Sequence, residues 1–218
     1  MTQKLDDVFD KLIAFECVDA KTQHRGSGTA FWLKVNDTVK LVTAAHIPWP
    51  QLPSPVPVNS GSQFCVSWSM TGGRSNRGLA RIFAHPGAPK TDYAWIEFND
   101  ASLAPPGNNN QFYMIHQYPL ISTFVAATGF PGNFVASGPT PDYAIGTLQE
   151  IQDPPDNKIS VAGKACGGYS GGPAFRYIDE GALDDWVIGL MSGAPSPATN
   201  FSLQIADSYI LEGAVNFV

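Results

Sequence analysis

The sequence predicts an all-β fold of two six-stranded antiparallel β-barrels, and three observations carry that expectation. Of 218 residues, 44% are hydrophobic and only 15% charged, while 21 glycines and 18 prolines exceed the joint share of about 12% usual in globular chains. That balance suits short strands and tight turns, not a helical bundle. Apolar, β-branched runs recur between turn signals along the whole chain, and one polar stretch divides them into two groups of six. The length fits one large unit or two small ones with a shared interface.

Taken in order, residues 1–103 hold the candidate strands Leu12 to Val18, Gly28 to Val35, Val39 to Ala45, Gln63 to Ser69, Leu79 to Ala84 and Asp92 to Phe98. Ahead of them Leu5, Val8, Phe9, Leu12 and Ile13 fall at helical spacing, interrupted by Asp6, Asp7 and Asp10. A short amphipathic helix lying on the body is expected there, since a signal peptide needs an unbroken apolar centre. Asn36-Asp37 is well placed for a hairpin turn between the second and third strands. Residues 104–111, Ala104-Pro105-Pro106-Gly107-Asn108-Asn109-Asn110-Gln111, read as a linker whose composition cannot contribute to a core. Residues 112–218 then hold Ser122 to Gly129, Tyr143 to Ile151, Ile159 to Val161, Gly172 to Phe175, Trp186 to Leu190 and a last segment around Ser202 to Ile205. The chain carries no convincing sequence repeat, so the duplication would be structural only.

Charge and cysteine content narrow the partners. With 13 basic against 19 acidic side chains the net charge is -6, so nucleic acid is not expected as a partner. Apolar runs stay far short of the roughly 18 residues of a membrane span, so no membrane is expected either. Cys17, Cys65 and Cys166 are odd in number and widely spaced, which fits neither a disulfide framework nor a zinc site. They read as reduced packing residues, with no metal, and together with the missing leader they suggest a cytoplasmic protein.

The sharpest local feature is Gly167-Gly168-Tyr169-Ser170-Gly171-Gly172-Pro173, followed at once by apolar Ala174-Phe175. A nucleophilic serine needs its own amide, and one two residues upstream, turned toward the point where an oxyanion forms, and such a turn demands dihedrals that side chains obstruct. Gly168 and Ser170 are the expected donors. The bland alternative is a plain Gly-Ser turn. The same residues satisfy the Gly-x-Ser-x-Gly elbow of α/β-hydrolases, whose histidine follows the serine. All four histidines, His24, His46, His85 and His116, precede Ser170, which excludes an active elbow and leaves the order His, Asp, Ser open.

His46 ends the run Leu41-Val42-Thr43-Ala44-Ala45, where small alanines leave room beside the ring and Ile47-Pro48-Trp49-Pro50 turns the chain away. His85, in Ala84-His85-Pro86, reads as a turn histidine. Asp92 opens Asp92-Tyr93-Ala94-Trp95-Ile96-Glu97-Phe98 and shares a face with Ala94, Ile96 and Phe98, so its carboxylate should be partly buried. A buried carboxylate needs hydrogen-bond partners, and an imidazole N–H is one; capping of the preceding Lys90-Thr91 turn is the competing use.

Together these segments resemble the trypsin-like, chymotrypsin-fold serine peptidases of the compact bacterial and viral type. Gly26-Ser27-Gly28-Thr29-Ala30-Phe31 with Leu41-Val42-Thr43-Ala44-Ala45-His46 is similar to the family's histidine motif, and Asp92-Tyr93-Ala94-Trp95-Ile96 to its aspartate motif. Thr128-Gly129-Phe130-Pro131-Gly132, Gly168-Tyr169-Ser170-Gly171-Gly172-Pro173 and Val187-Ile188-Gly189-Leu190 resemble its second barrel. The resemblance spans about Gly26 to Ala194. It implies two barrels packed face to face around a cleft, a His46, Asp92 and Ser170 catalytic triad, an oxyanion hole of the Gly168 and Ser170 amides, a protein or peptide substrate, and no cofactor.

It also implies a primary specificity pocket between Lys164-Ala165-Cys166 and Ser192-Gly193-Ala194. Neither segment supplies an acid, which disfavours Lys or Arg and points to a small or apolar side chain; Lys164 reaching the base would instead favour an acidic one. Many secreted animal members carry an aspartate before the serine that pairs with a freshly cut N-terminus. Here the position is Tyr169, so the site should form without processing. A catalytically silent two-barrel binding module and an esterase on the same triad are the competing functions. The oligomeric state is not readable.

Overall fold

The computed structural model describes residues 2–35, 37–51, 57, 61–88, 90–107, 110–114, 121–132, 138–151, 158–165, 167–179, 181–193 and 200–205. Strands β2 (Ile13–Asp19), β3 (Arg25–Val35), β4 (Thr38–Thr43), β5 (Ser62–Met70), β6 (Asn76–Ala84) and β7 (Ala94–Phe98) pair in the closed antiparallel ring β3-β2-β5-β6-β7-β4. Strands β9 (Phe124–Gly129), β10 (Asp142–Ile151), β11 (Lys158–Gly163), β12 (Pro173–Asp179), β13 (Ala182–Gly193) and β14 (Asn200–Ile205) close a second ring, β12-β9-β10-β11-β14-β13. The fold is therefore the all-β double barrel expected, with each of the twelve apolar runs overlapping one of these strands.

Period-2 alternation explains which way each strand faces. In β6 Gly78, Ala80 and Ile82 are buried while Arg77, Leu79 and Arg81 are exposed. One large apolar cluster, with Phe15, Leu33, Leu41, Phe64 and Ile82, fills the first barrel and continues through Phe31 onto Ala126, Phe175, Leu183 and Val187 of the second. A smaller cluster around Val125, Leu148, Val161, Ile188, Phe201 and Leu203 fills the second barrel.

Two strands lie outside the expected twelve. β1 (Thr2–Lys4) pairs with β13, and the helix α1 (Leu5–Phe9) follows it directly. Leu5 and Phe9 pack on the large cluster, and Val8 is fully buried. β8 (Gln111–Met114) runs parallel to β3 on one side and to β13 on the other. Gln111, the last residue of the segment read as a linker, opens β8, and Pro105 within that segment is buried.

Strand ends shift too. β4 stops at Thr43, so Ala44 to His46 belong to a turn, and β7 starts at Ala94, so Asp92 lies two residues before its strand and does not open it. The β3–β4 register, Val35 opposite Thr38, leaves room for the two-residue Asn36-Asp37 connection, although Asn36 is outside the described residues. Cys17 and Cys65 are free thiols; Cys17 is buried, whereas Cys65 is half-exposed on β5 and accepts from Arg77 Nε at 2.9 Å, and Cys166 is outside the described residues. Among the described residues no helix is long and apolar enough to cross a membrane.

Phe112 of β8 is 1% exposed and sits edge-on to Phe31 of the first barrel and to Phe175 of the second, with centroids 5.9 and 5.2 Å away. Phe112→Ala should cost about 3–5 kcal/mol in urea unfolding, against under about 1 kcal/mol for exposed Tyr113→Ala. Burial pushes the Cys17 thiol up to about 12, with the Glu16 and Asp19 charges adding to it. The raised value means that the unfolded chain releases this proton first, so the stability conferred is intact at neutral pH and is lost as pH rises from about 8.5. Urea midpoints should therefore fall between pH 8 and pH 10, less so in Cys17→Ala; at pH 8 iodoacetamide should spare Cys17 until the protein is denatured.

Candidate active site

The His46 turn is an outgrowth of the β4–β7 ladder. Thr43 pairs with Ala94, and one further bond, Ala45 N–H to the Asp92 carbonyl at 3.3 Å, brings the chain ahead of β7 beside the chain leaving β4. Ile47 N–H then bonds the Ala44 carbonyl and Trp49 N–H the Ala45 carbonyl, both at 3.2 Å. Ala44, Ala45, Ile47 and Trp49 are all buried, which anchors the turn and leaves the His46 side chain 40% exposed.

Asp92 is buried, and its carboxylate has donors from both barrels. Oδ1 accepts the His46 backbone N–H at 2.9 Å. Oδ2 accepts from His46 Nδ1 at 2.7 Å and from Ser192 Oγ at 2.6 Å. A carboxylate in contact with Nδ1 requires the ring proton there, which leaves the Nε2 lone pair free to accept. The Ser192 contact joins the end of β13 in the second barrel to the approach to β7 in the first. Ser192, expected to line the substrate pocket, also gives its hydroxyl to Asp92, a role for which a serine at a strand end has no local signature.

Ser170 sits in a turn just before β12. Gly168 and Gly171 have φ of +99° and +81°, and a Cβ at either position would meet backbone: the Phe130 carbonyl for Gly168, the Thr29 carbonyl for Gly171. The Gly167 carbonyl accepts from Gly132 N–H and the Tyr169 carbonyl from Gly172 N–H, both at 2.8 Å. In a trans peptide the N–H points opposite to its carbonyl, so the Gly168 and Ser170 amides are turned away from those partners. Neither amide has a hydrogen-bond partner among the described residues. Gly171 N–H donates to the Met191 carbonyl, and Met191 N–H to the Gly172 carbonyl, each at 2.8 Å, which ties the turn to β13 beside Ser192.

The serine turn and the histidine turn meet at the barrel seam. Thr29 N–H of β3 donates to the Ser170 carbonyl at 2.8 Å. A Cβ at Gly28 would lie 2.7 Å from that carbonyl and 2.6 Å from Cδ1 of Ile47, the residue after His46; one at Gly171 would lie 3.0 Å from Ala44 N. Of the remaining candidates, Lys164 is exposed, Ala165 and Gly193 are half-buried, and Cys166 and Ala194 lie outside the described residues. His85 is buried and its Nδ1 accepts from Gly87 N–H at 2.9 Å, closing a local turn, while His116 is outside the described residues. No group of three or more His, Cys, Asp or Glu residues suited to a metal occurs among the described residues.

No protein-family model and no curated protein matches the chain. Solved structures do. The thermostable serine protease AL20 from an extremophilic microorganism aligns with TM-score 0.65 at 15% identity, over 95% of this chain and 96% of its own. The Rv3671c protease of M. tuberculosis in its active form aligns with TM-score 0.64 at 16% identity, over 98% of this chain and 83% of its own. A catalytically inactive tobacco etch virus protease complexed with substrate aligns with TM-score 0.59 at 12% identity, over 96% and 84%. The likeness is one of fold: the chain has the chymotrypsin-type double barrel.

The Gly171 notch gives a direct test of the seam. Gly171→Ala should lower stability by about 2 kcal/mol or more, because a positive φ and an occupied space penalise the methyl group together; urea unfolding of the variant measures it.

Proposed function

We propose that this protein is a trypsin-like serine endopeptidase in which His46, Asp92 and Ser170 act as the triad. The observation that carries the reading is the Asp92 carboxylate, which accepts from His46 Nδ1 at 2.7 Å and so leaves Nε2 as a base at the seam where the Ser170 turn arrives. In this division of labour residues 1–103 supply the base and its orienting acid, residues 112–218 supply the nucleophile and the oxyanion donors, and residues 104–111 connect them.

Ser170 Oγ attacks the scissile carbonyl carbon while His46 Nε2 takes its proton. The carbonyl oxygen becomes an oxyanion facing the Gly168 and Ser170 amides, which are already turned away from their local partners. Collapse breaks the C–N bond, Nε2 returns the proton to the departing amine, and an acyl-serine ester remains. Water, deprotonated by Nε2, attacks that ester, and collapse releases the carboxylic acid with the proton returned to Ser170. Asp92 keeps the Nδ1 proton throughout and stabilises the imidazolium. No cofactor enters. The substrate is a protein or peptide, read in the cleft near Lys164 and Ala165 on one side and Ser192 and Gly193 on the other. A small or apolar side chain before the cut suits segments without an acid, and the site works without N-terminal processing.

A peptide library cleaved by the purified protein tests both activity and preference. Ser170→Ala should lower turnover by about six orders of magnitude and Asp92→Asn by about four. A fluorophosphonate should label Ser170 in the wild type alone, since an unactivated serine does not react; undiminished cleavage by Ser170→Ala would remove the assignment, and an unlabelled wild type would favour the silent binding module.

A further inference from the structure

We propose that Thr29, a first-barrel residue, is the positioning residue for the oxyanion turn of the second barrel, its hydroxyl holding the Gly168–Tyr169 peptide plane. The inference rests on the peptidase reading for its kinetic consequence and on geometry for the rest. Thr29 is fully buried. Its Oγ1 donates to the Gly168 carbonyl at 2.9 Å and accepts the Phe130 N–H at 3.1 Å, while its own N–H holds the Ser170 carbonyl at 2.8 Å. Thr43 Oγ1 in turn donates to the Thr29 carbonyl at 2.9 Å. Every polar atom of Thr29 is thereby committed, and three of its four bonds reach the second barrel.

The turn from Gly167 to Ser170 contains three successive peptide planes. The outer two have carbonyls held by Gly132 and Gly172, partners from the same barrel. The carbonyl of the middle one accepts from Thr29 Oγ1, across the seam from the first barrel. Because Gly168 has no side chain and a φ of +99°, rotation of that middle plane meets little resistance from the residue itself. The Gly168 N–H lies in the first of these planes and the Ser170 N–H in the third; release of the Gly168 carbonyl loosens the middle plane that joins them, and with it the alignment of the two donors on the developing oxyanion. The pocket for the hydroxyl is shaped for it: a Cβ at Gly129 would come within 2.8 Å of both Thr29 Oγ1 and Tyr169 Cα.

Thr29→Val keeps the shape and removes the donor, and Thr29→Ser keeps the donor and removes a methyl. With a peptide that the wild type cleaves, Thr29→Val should lose about ten- to a hundredfold in kcat, less than outright deletion of an oxyanion donor, with KM changed little. Fluorophosphonate labelling should slow in parallel, and Thr29→Ser should restore both. A valine variant as fast as the wild type, or a serine variant as slow as the valine one, overturns the proposal. Failure of the peptidase reading is seen separately, as a wild type that neither cleaves nor labels. The clamp is then read by NMR: the Tyr169 amide resonance, in the same peptide plane as the Gly168 carbonyl, should shift and Phe130 amide exchange should accelerate in Thr29→Val and not in Thr29→Ser, and unchanged spectra refute it. If the valine variant does not fold, the wild type still decides, since a Thr29 hydroxyl proton in rapid exchange with solvent contradicts a bond to Gly168.

Discussion

A carboxylate removed from water must be surrounded by donors, and at Asp92 that requirement organises the molecule. Burial of an ion costs several kcal/mol, and breaking a buried pair by removing one partner is more damaging than never having made it. Among the donors to Asp92, the His46 backbone and ring N–H groups come from the turn after β4 in its own barrel and the Ser192 hydroxyl from the end of β13 in the other, so these three are together only when both barrels are closed and docked. Local chain geometry alone places none of them. The folding of each ring is thus coupled to the completion of the charged centre, and the centre in turn holds the rings in a fixed relation.

The adjoining part of the seam is built from backbone. Gly28 and Gly171 let main chain approach main chain where side chains would keep β3 and the serine turn apart. The result is a junction of carbonyls and amides whose dimensions are set by covalent geometry, with side chains from Thr29 and Thr43 filling the remaining hydrogen-bonding capacity. Precision of this kind suits chemistry in which an oxyanion must meet two amides within a few tenths of an ångström.

Much of this was legible in the sequence because its signals are local. Alternation in Asn76–Ala84, β-branched runs such as Leu41-Val42-Thr43, and glycines bunched around Ser170 each report their own conformation. Less legible were features decided by a distant partner. Ala44-Ala45 is as apolar as the strand before it, and only the turn bonds to Ile47 and Trp49 end β4. Gln111–Met114 carries too little pattern to announce a strand that depends on β3 and β13 for both edges. Ser192 could be assigned to the cleft but not to Asp92, because that contact spans 100 residues and two barrels.

The double-sided pairing of β8 also bears on how the molecule can move. A connector that is hydrogen-bonded to both halves offers no hinge, since swinging one barrel about it would tear a ladder on one flank or the other. Rigid-body rotation of one barrel against the other would therefore have to break hydrogen bonds of β8. The turns before β12 and after β4, which have no such two-sided pairing, leave that constraint to the connector between them.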